Sequence, residues 1–296
     1  MLTGIEGRCS AVQIDPPPPG AIERAVRAAL DEDRASEDAA TLATVADDLL
    51  GQAVFLAKEP GVFAGMAVIE AVFAALSPDV TVEPLVHDGE PFAKGAHLAV
   101  ARGPVRALLS GERTALNFVQ RLSASATLAR AFVDAVAGTN AVILDTRKTT
   151  PGLRDLEKWA VRCGGATNHR RDLAVMAMIK DNHREALARE GRSLADGVAA
   201  IRKLAPGIPV EVEIDDLADL EAALSGAPEW ILLDNMTNEQ MAEAVRRTAG
   251  RAKLEASGGV KLSTVAAIAR TGVDAISSGA LTHSQGSLDI SLELTF

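Results

Sequence analysis

Residues 210–257 read VEVEIDDLADLEAALSGAPEWILLDNMTNEQMAEAVRRTAGRAKLEAS. The segment contains three short apolar runs, and a helical pattern separates each run from the next. Glu213, Asp234 and Glu255 stand near the ends of these runs, at regular intervals of 21 residues. An interval of this length fits one strand followed by one helix. The segment therefore predicts consecutive βα units with parallel strands.

The same alternation extends to both sides of this segment. Further strand-like runs are AVILDT (141–146), AVMAMIK (174–180) and DAISSG (274–279). The steady spacing favours a βα barrel over an open sheet, and barrels carry their functional groups at the carboxyl ends of the strands. The tail LDISLELTF (288–296) alternates like a strand but has no helix after it. We expect it to return and pair with the first domain.

The first 140 residues mix strands and helices without regular alternation, as in an α+β domain. Residues 21–34 and 64–77 have helical periodicity, and residues 52–61 indicate a strand and a turn. Residues 104–137 predict a long helical stretch, and we expect an interruption at Ser110-Gly111.

Composition excludes several classes of protein. The chain has 296 residues, 48% of them hydrophobic, and a formal charge of -10, which argues against a nucleic-acid binder. No run of apolar residues is long enough to span a membrane. The N-terminus has no basic segment followed by an apolar one, as a secretory signal would. Cys9 and Cys163 form no motif, so we expect a reduced, cytoplasmic setting.

Positive charge concentrates locally in this acidic chain. Residues 147–184 hold nine Lys or Arg and four acids, a net charge of +5. Arg154, Lys158 and Arg162 recur at helical spacing, which predicts a solvated helix face. A second set follows predicted strand ends, and its members are Arg147, Lys148, His169, Arg170 and Lys180. Scattered surface charge is one interpretation of this set, and capture of a multiply anionic ligand is the other.

Two acids and two glycine turns also follow strand ends. Glu213 and Asp234 predict Mg²⁺ binding or hydrogen bonds to ribose hydroxyls, although Asp234 could instead cap the next helix. Glu255 could be linked to a metal or structural. The turns 257–259 (SGG) and 277–279 (SSG) predict a phosphate site built from backbone N–H groups. Together these features suggest a phosphorylated sugar that meets an anionic second substrate.

Several motifs resemble those of one family. DTRKTTPGLRDLEKWAV (145–161), GGATNHR (164–170) and IKDNH (179–183) resemble quinolinate phosphoribosyltransferase, also called nicotinate-nucleotide pyrophosphorylase (carboxylating). The runs VEVEID, ILLDNM, EASGGV, SGALTHS and LDISLEL do so as well, and AKEPGVFAG and LSGERTALNFVQRLS extend the resemblance into the first domain. It covers nearly the whole chain from about residue 22.

The resemblance implies an enzyme of de novo NAD biosynthesis, a pentosyltransferase. Quinolinate and phosphoribosyl pyrophosphate would give nicotinate mononucleotide, pyrophosphate and CO₂, with Mg²⁺ as cofactor. The implied fold is α/β, with a sandwich domain over residues 1–117 and a βα barrel of fewer than eight strands over residues 118–285. The strand at 286–296 would return to the sandwich domain.

The resemblance also assigns roles to residues. Lys148, Glu213 and Asp234 would be catalytic, and the two acids would face the metal and the ribose. The phosphate would meet Ser257, Gly258, Gly259, Ser278 and Gly279. The quinolinate pocket would be lined by Thr146, Arg147, Lys148, His169, Arg170 and Lys180. Arg113 would reach that pocket from the partner subunit, so the resemblance implies a homodimer with shared sites, or a higher oligomer built from it. The partners would be the two small-molecule substrates and further copies of the chain, and charge and composition leave out nucleic acid and membrane.

The sequence departs from the family pattern after the NHR motif. Arg171 and Asp172 stand where an apolar residue and Gly are usual, and Val175 stands in place of an Asp. Ala166 replaces a third Gly, and Ser278 replaces a Val. Asp172 could pair with Arg171 and leave the pocket unchanged, or it could weaken the binding of a dianion.

Three other functions compete with this prediction. One is the molybdenum-transport-associated paralogue of the family, which would take a different anionic substrate. A second is a lysine-dependent aldolase, because Lys148 and Lys180 follow strand ends, where a Schiff base could form. The third is a non-catalytic binder of pyridine carboxylates or phosphosugars, which would need neither Glu213 nor Asp234.

Overall fold

The structure is a computed structural model that describes residues 14–296. Cys9 and the N-terminal segment considered above therefore lie outside the described residues. Within this range no helix combines the length and the apolar character needed to cross a membrane.

The N-terminal unit is an antiparallel sheet covered by helices. The sheet has the order β12-β1-β5-β3, and β2 pairs with β4 beside it. The strands are β1 (Leu50–Ala57), β2 (Gly61–Val62), β3 (Thr81–Pro84), β4 (Pro91–Phe92), β5 (His97–Pro104) and β12 (Ile290–Thr295). The helices are α1 (Pro19–Asp33), α2 (Ala39–Thr44), α3 (Met66–Leu76) and α4 (Val105–Ala135), with a 3₁₀ turn at Ala35–Glu37.

The C-terminal unit alternates strands and helices, as the spacing predicts. Its strands are β6 (Val142–Leu144), β7 (Ala177–Ile179), β8 (Val210–Ile214), β9 (Trp230–Asp234), β10 (Lys253–Ser257) and β11 (Ala275–Ser277). Its helices are α5 (Arg154–Cys163), α6 (Asp181–Arg189), α7 (Leu194–Leu204), α8 (Leu220–Ser225), α9 (Asn238–Thr248), α10 (Leu262–Ala269) and α11 (Ala280–His283), with a 3₁₀ turn at Leu217–Asp219.

The six strands of this unit form one parallel sheet in the order β6-β11-β10-β9-β8-β7. From β7 to β11 each strand lies beside the next one along the chain, which is the strand order of a barrel and not of a doubly wound sheet. Among the described residues the sheet does not close, because β6 and β7 remain its edges. The prediction of an incomplete barrel with fewer than eight strands is confirmed.

The tail and the long helix join the two units. β12 pairs antiparallel with β1, with Ile290 opposite Ala57 and Thr295 opposite Gln52. α4 begins in the apolar core of the first unit and ends in that of the second, so it runs through the boundary expected at residues 117 and 118.

The interruption expected at Ser110-Gly111 is wrong, because α4 is continuous over 31 residues. Gly111 is buried there, and a Cβ at this position would come within 2.9 Å of the Phe73 ring on α3. The glycine therefore allows close packing of the two helices and does not end α4.

Candidate active site

A cleft of about 410 Å³ opens at the carboxyl ends of the barrel strands. Among the predicted site residues, those that line it are Thr146, Arg147, Lys148, His169, Arg170, Lys180, Glu213, Asp234 and Ser257. Glu255, Ser277, Met178 and Leu232 complete the lining. The predicted cations thus converge on one space together with the predicted acids.

The other predicted site residues do not line this cleft. They are Arg113, Gly258, Gly259, Ser278 and Gly279. Arg113 is exposed on α4 and has no hydrogen-bond or ion-pair partner within residues 14–296. Ser278 is buried, and its hydroxyl donates to the Val260 carbonyl oxygen at 3.3 Å, so it faces protein.

The loop after β6 is held by its backbone, which leaves its cationic side chains available. Thr282 Oγ1 donates to the Lys148 carbonyl oxygen at 2.7 Å, and the Thr150 N–H donates to Glu157 Oε2 at 2.9 Å. In the described part of the chain, the Lys148 ammonium has no ion-pair partner and the buried Arg147 Nε has no hydrogen-bond acceptor. A ligand that supplies negative oxygens would complete both groups.

Lys158 is not on a solvated helix face, and that prediction is wrong. Its side chain is 5% exposed and its ammonium is paired with the buried Asp145 carboxylate. Asp145 also accepts the His169 N–H at 2.8 Å, and Lys158 donates to the His169 carbonyl oxygen at 3.0 Å. Arg154 is half-buried as well and bonds Thr149 Oγ1 at 3.1 Å. Two of the three helix cations therefore hold the loops of the cleft.

Glu213 and Asp234 end neighbouring strands at the rim of the cleft. Glu213 Oε2 lies 3.0 Å from Lys180 Nζ, and Asp234 Oδ2 accepts from Asn235 Nδ2 at 2.7 Å. Asp234 does not cap the next helix, because Thr237 and Gln240 form the capping box of α9. Each acid keeps one carboxylate oxygen, Oε1 or Oδ1, without a hydrogen bond from the described residues.

A buried acidic pair lies beneath this rim. His169 Nε2 is 3.3 Å from Glu211 Oε2 and 3.1 Å from Glu255 Oε2. Both glutamates are almost fully buried. Glu255, which the sequence leaves as either linked to a metal or structural, contacts a histidine of the cleft.

The cluster binds an additional proton. Burial acts to lower the pKa of His169, but the contacts with Glu211 and Glu255 outweigh it and raise that pKa to about 9. Burial raises the pKa of Glu211 to about 7. His169 Nδ1 accepts the Arg170 N–H at 2.7 Å and so must keep a lone pair. A proton on Nδ1 would contradict that contact, so we place the additional proton on the carboxylate side of the cluster.

The first glycine turn has a backbone that only glycine can adopt. Gly258 has a φ of +90°, and a Cβ there would overlap the Asn235 side chain. The turn follows Ser257, the last residue of β10. Ser277, the last residue of β11, donates to Ser257 Oγ at 3.1 Å, so the two turns lie side by side.

The residues that depart from the family pattern lie outside the cleft lining. Arg171 donates to both oxygens of Asp155, at 2.7 and 2.9 Å, and to Asp172 Oδ2 at 3.2 Å. Asp172 Oδ1 accepts the Ala174 N–H at 2.9 Å. The geometry corresponds to the alternative in which Asp172 pairs with Arg171.

Sequence reasoning missed Glu211 and the role of Asp145. The run VEVEI contained the signal for Glu211, because strand residues two apart face the same side and Glu213 was already assigned. Asp145 follows an apolar run as its first acid, but nothing in the sequence shows that Lys158 meets it.

Comparisons with known proteins identify the family of the chain. The family model described as quinolinate phosphoribosyl transferase, N-terminal domain, matches residues 38–123, and the model of the C-terminal domain matches residues 125–293. A nicotinate-nucleotide pyrophosphorylase [carboxylating] of Mycobacterium leprae is 45% identical over 277 residues, which are 91% of this chain and 95% of the relative. A probable nicotinate-nucleotide pyrophosphorylase [carboxylating] of Bacillus subtilis is 42% identical over 259 residues, which are 84% of this chain and 88% of the relative.

A solved structure is similar over almost the whole fold. The nicotinate-nucleotide pyrophosphorylase of Francisella tularensis matches with a TM-score of 0.90 and 35% identity, covering 96% of this chain and 99% of its own. The two family models, the curated relatives and this likeness extend across both units. The chain therefore belongs to the quinolinate phosphoribosyltransferase family.

Proposed function

We propose that the chain transfers the phosphoribosyl group of phosphoribosyl pyrophosphate to quinolinate, with decarboxylation, in de novo NAD biosynthesis. The observation that carries the proposal is the convergence of four cations on one cleft, which three acids also line. The cations are Arg147, Lys148, Arg170 and Lys180, and the acids are Glu213, Asp234 and Glu255. Lys180 is paired with Glu213, but Arg147, Lys148 and Arg170 have no ion-pair partner among the described residues, and a dicarboxylate would neutralise these unpaired cations. The family supports this substrate.

The cleft would hold two anions that otherwise repel each other. Arg147 and Arg170 suit bidentate contacts with carboxylates, and Lys148 supplies a compact charge. The 257–259 turn would receive the phosphate through backbone N–H groups. Binding both substrates in one orientation turns a reaction between two molecules into one within a single complex.

The reaction balances without an oxidant or a reductant. The bond from C1′ to the pyrophosphate oxygen breaks, and its electron pair leaves with pyrophosphate. The pyridine nitrogen of quinolinate then forms a bond to C1′. The pyridinium accepts electron density as the adjacent carboxylate leaves as CO₂, and a proton takes its place on the ring. The cations of the cleft stabilise the charge that accumulates as pyrophosphate leaves.

Glu213 and Asp234 fit the requirements of Mg²⁺. Carboxylate oxygens suit this ion, which usually binds one or two protein carboxylates and completes its shell with water and substrate phosphates. Each acid has one unpartnered oxygen at neighbouring strand ends. When bound, Mg²⁺ would offset the charge of the pyrophosphate group. Removing Mg²⁺ with EDTA should abolish turnover, and full turnover in chelator would contradict the metal role.

CO₂ release from carboxyl-labelled quinolinate tests the activity. We expect one CO₂ per nicotinate mononucleotide, and only when phosphoribosyl pyrophosphate is present. A borohydride control with a carbonyl substrate should trap no adduct on Lys148 or Lys180. Labelled CO₂ without the sugar phosphate, or a trapped adduct, would contradict the proposal.

We further infer a homodimer with shared sites. Arg113 is exposed and unpartnered on α4, outside the cleft of its own chain. The family resemblance implies that this arginine reaches the cleft of a partner subunit, and a two-fold dimer makes two such shared sites. The reduced, cytoplasmic setting remains a prediction from the cysteine pattern. Cys163 is a buried free thiol, as such a setting would keep it.

Subunit mixing tests the shared site. The variants Arg113→Ala and Lys148→Ala should each be inactive, and after exchange about a quarter of native activity should return, because half of the dimers are mixed and each mixed dimer has one intact site. If Arg113 serves its own chain, every site carries a lesion and mixing restores nothing.

A further inference from the structure

The buried pair beneath the cleft is costly to maintain. Glu211 is 0% exposed, and the ring nitrogen Nε2 of His169 is the single polar group that meets its carboxylate among residues 14–296. Glu255 Oε1 is also buried, without a hydrogen bond in the same range. A buried carboxylate that lacks partners destabilises a fold, so its presence calls for a reason other than stability.

His169 is the group that both carboxylates contact, through Nε2 at 3.3 and 3.1 Å. Two carboxylates on one ring nitrogen favour a proton on that nitrogen. The other ring nitrogen, Nδ1, then keeps its lone pair, and it accepts the Arg170 N–H at 2.7 Å. The opposite tautomer would set two N–H groups against each other.

This geometry also argues against a metal ion among His169, Glu211 and Glu255. A metal bound at Nε2 would require the ring proton on Nδ1, where metal-binding histidines normally donate to a second group. Here Nδ1 is an acceptor. The three residues therefore form a protonated contact and not a ligand set.

Resting on the proposed function, we propose that Glu211 and Glu255 are positioning residues for Arg170. They hold His169 as its Nε2–H tautomer, Nδ1 then anchors the Arg170 backbone, and the guanidinium of Arg170 is presented to the quinolinate carboxylates. Arg170 is fixed at its other end, since Nη1 donates to the Met176 carbonyl oxygen at 3.0 Å. Asp145 and Lys158 hold the His169 backbone from the opposite side.

The first test needs no turnover. Nitrogen-15 NMR of histidine-labelled native protein at pH 7, with His169 assigned by its absence in His169→Gln, should show the neutral Nε2–H tautomer. An Nδ1–H tautomer or an imidazolium would overturn the proposal. This result is independent of CO₂ release, so failure of the proposed function and failure of this inference are distinguishable.

The second test separates positioning from support of the fold. Glu211→Leu removes the buried carboxylate and fills its place with an apolar side chain, so the midpoint of thermal unfolding should be equal to or above that of the native protein. The KM for quinolinate should nevertheless rise about tenfold, the size of one lost hydrogen bond. The KM for phosphoribosyl pyrophosphate should stay within about twofold. Glu211→Gln keeps an oxygen acceptor, so it should restore the KM for quinolinate.

Thr248→Val is the matched control. Thr248 is buried, and its hydroxyl also lacks a hydrogen bond within the described range, but it lies at the opposite ends of the strands. Its loss should leave both KM values unchanged. An unchanged KM for quinolinate in Glu211→Leu, or an equal rise in both KM values, would overturn the proposal. If Glu211→Leu does not fold, the proposal is tested by the KM of Glu211→Gln for quinolinate and by the His169 tautomer in the native protein.

Discussion

The two ends of the incomplete barrel treat charge in opposite ways. The larger hollow, about 850 Å³, lies at the amino ends of the strands. Its charged side chains are occupied by the protein: Glu229 accepts the Val210 N–H, Asp274 accepts the Leu254 N–H, and Lys253 lies 5.2 Å from the Trp230 ring centre. Size alone therefore does not mark the active site.

The smaller hollow at the carboxyl ends leaves charges incomplete. Within residues 14–296 the ammonium of Lys148 has no ion-pair partner and the buried Nε of Arg147 has no hydrogen-bond acceptor. Complete pairing favours stability, whereas incomplete pairing favours binding, because the ligand supplies what is missing. The comparison teaches that unpartnered charge, and not volume, identifies the functional end.

The largest expected effect comes from removing one cation at each end. Lys148→Ala should lower kcat/KM by about 10²–10³-fold, the usual cost of losing one partner of a buried charge contact. Lys253→Ala removes a cation that only contacts Trp230, so its kcat/KM should stay within about twofold. Steady-state kinetics of both variants measure this difference. Equal losses at both ends would break the comparison.

A substrate with one carboxylate should leave the cleft under-neutralised. Nicotinate should bind more weakly than quinolinate by about 2–5 kcal/mol, as expected for unpaired buried charges. Competition assays with both compounds provide the measurement. Comparable kcat/KM values for the two would mean that the cations do not select a dianion.

The buried pair of Lys158 and Asp145 supports the cleft from below. Lys158→Met leaves Asp145 buried without its counter-charge and should lower the free energy of unfolding by about 3 kcal/mol. The double variant Lys158→Met/Asp145→Asn should recover part of this loss, because the uncompensated charge is gone. Denaturant titrations give both values. An unchanged midpoint for Lys158→Met would mean that the pair contributes nothing.

Stability should fall as pH rises through the titration of the His169 cluster. Burial acts to lower the pKa of His169, but the contacts with Glu211 and Glu255 raise it to about 9, so below this pH the cluster of the three residues holds an additional proton on its carboxylate side. A raised pKa means that the folded state holds the proton more tightly. Its contribution is therefore complete below pH 6.5 and lost towards pH 9, a loss of about 3 kcal/mol. His169→Gln should flatten this slope, and an identical slope would contradict the assignment.

The smallest effect is expected at Asp172. It bonds the Ala174 N–H and Arg171 and does not line the cleft. Asp172→Gly should change the KM for quinolinate by less than about twofold, since surface ion pairs contribute little. A clearly lower KM would place its carboxylate in the field of the cleft.

Local pattern predicts most of the fold. The intervals between Glu213, Asp234 and Glu255 correspond to β8, β9 and β10, and the tail pairs with β1 as expected. The periodicity of residues along the chain does not show what packs against a helix. Lys158 was therefore predicted to face solvent, and Gly111 was predicted to interrupt α4. Both errors concern contacts between segments distant in sequence.

Part of the site is predictable from the order of the strands. Strand ends converge in a barrel, so Arg147, Lys180 and Asp234 were expected together, and the structure brings them to one cleft. Glu211 was missed because it lies two residues before Glu213, inside the buried part of β8, where a charged side chain is not expected. The group that Arg113 would contact lies on a second subunit, so the fold of a single chain cannot show it.

Calorimetric binding of quinolinate tests the central claim most directly. The native protein should bind one quinolinate per chain. Arg147→Ala/Lys148→Ala should weaken that binding by at least about 10²-fold, and Arg251→Ala/Lys253→Ala at the opposite end should leave it within about twofold. Equal affinities for the three proteins, or a loss confined to the amino-end variant, would contradict the account.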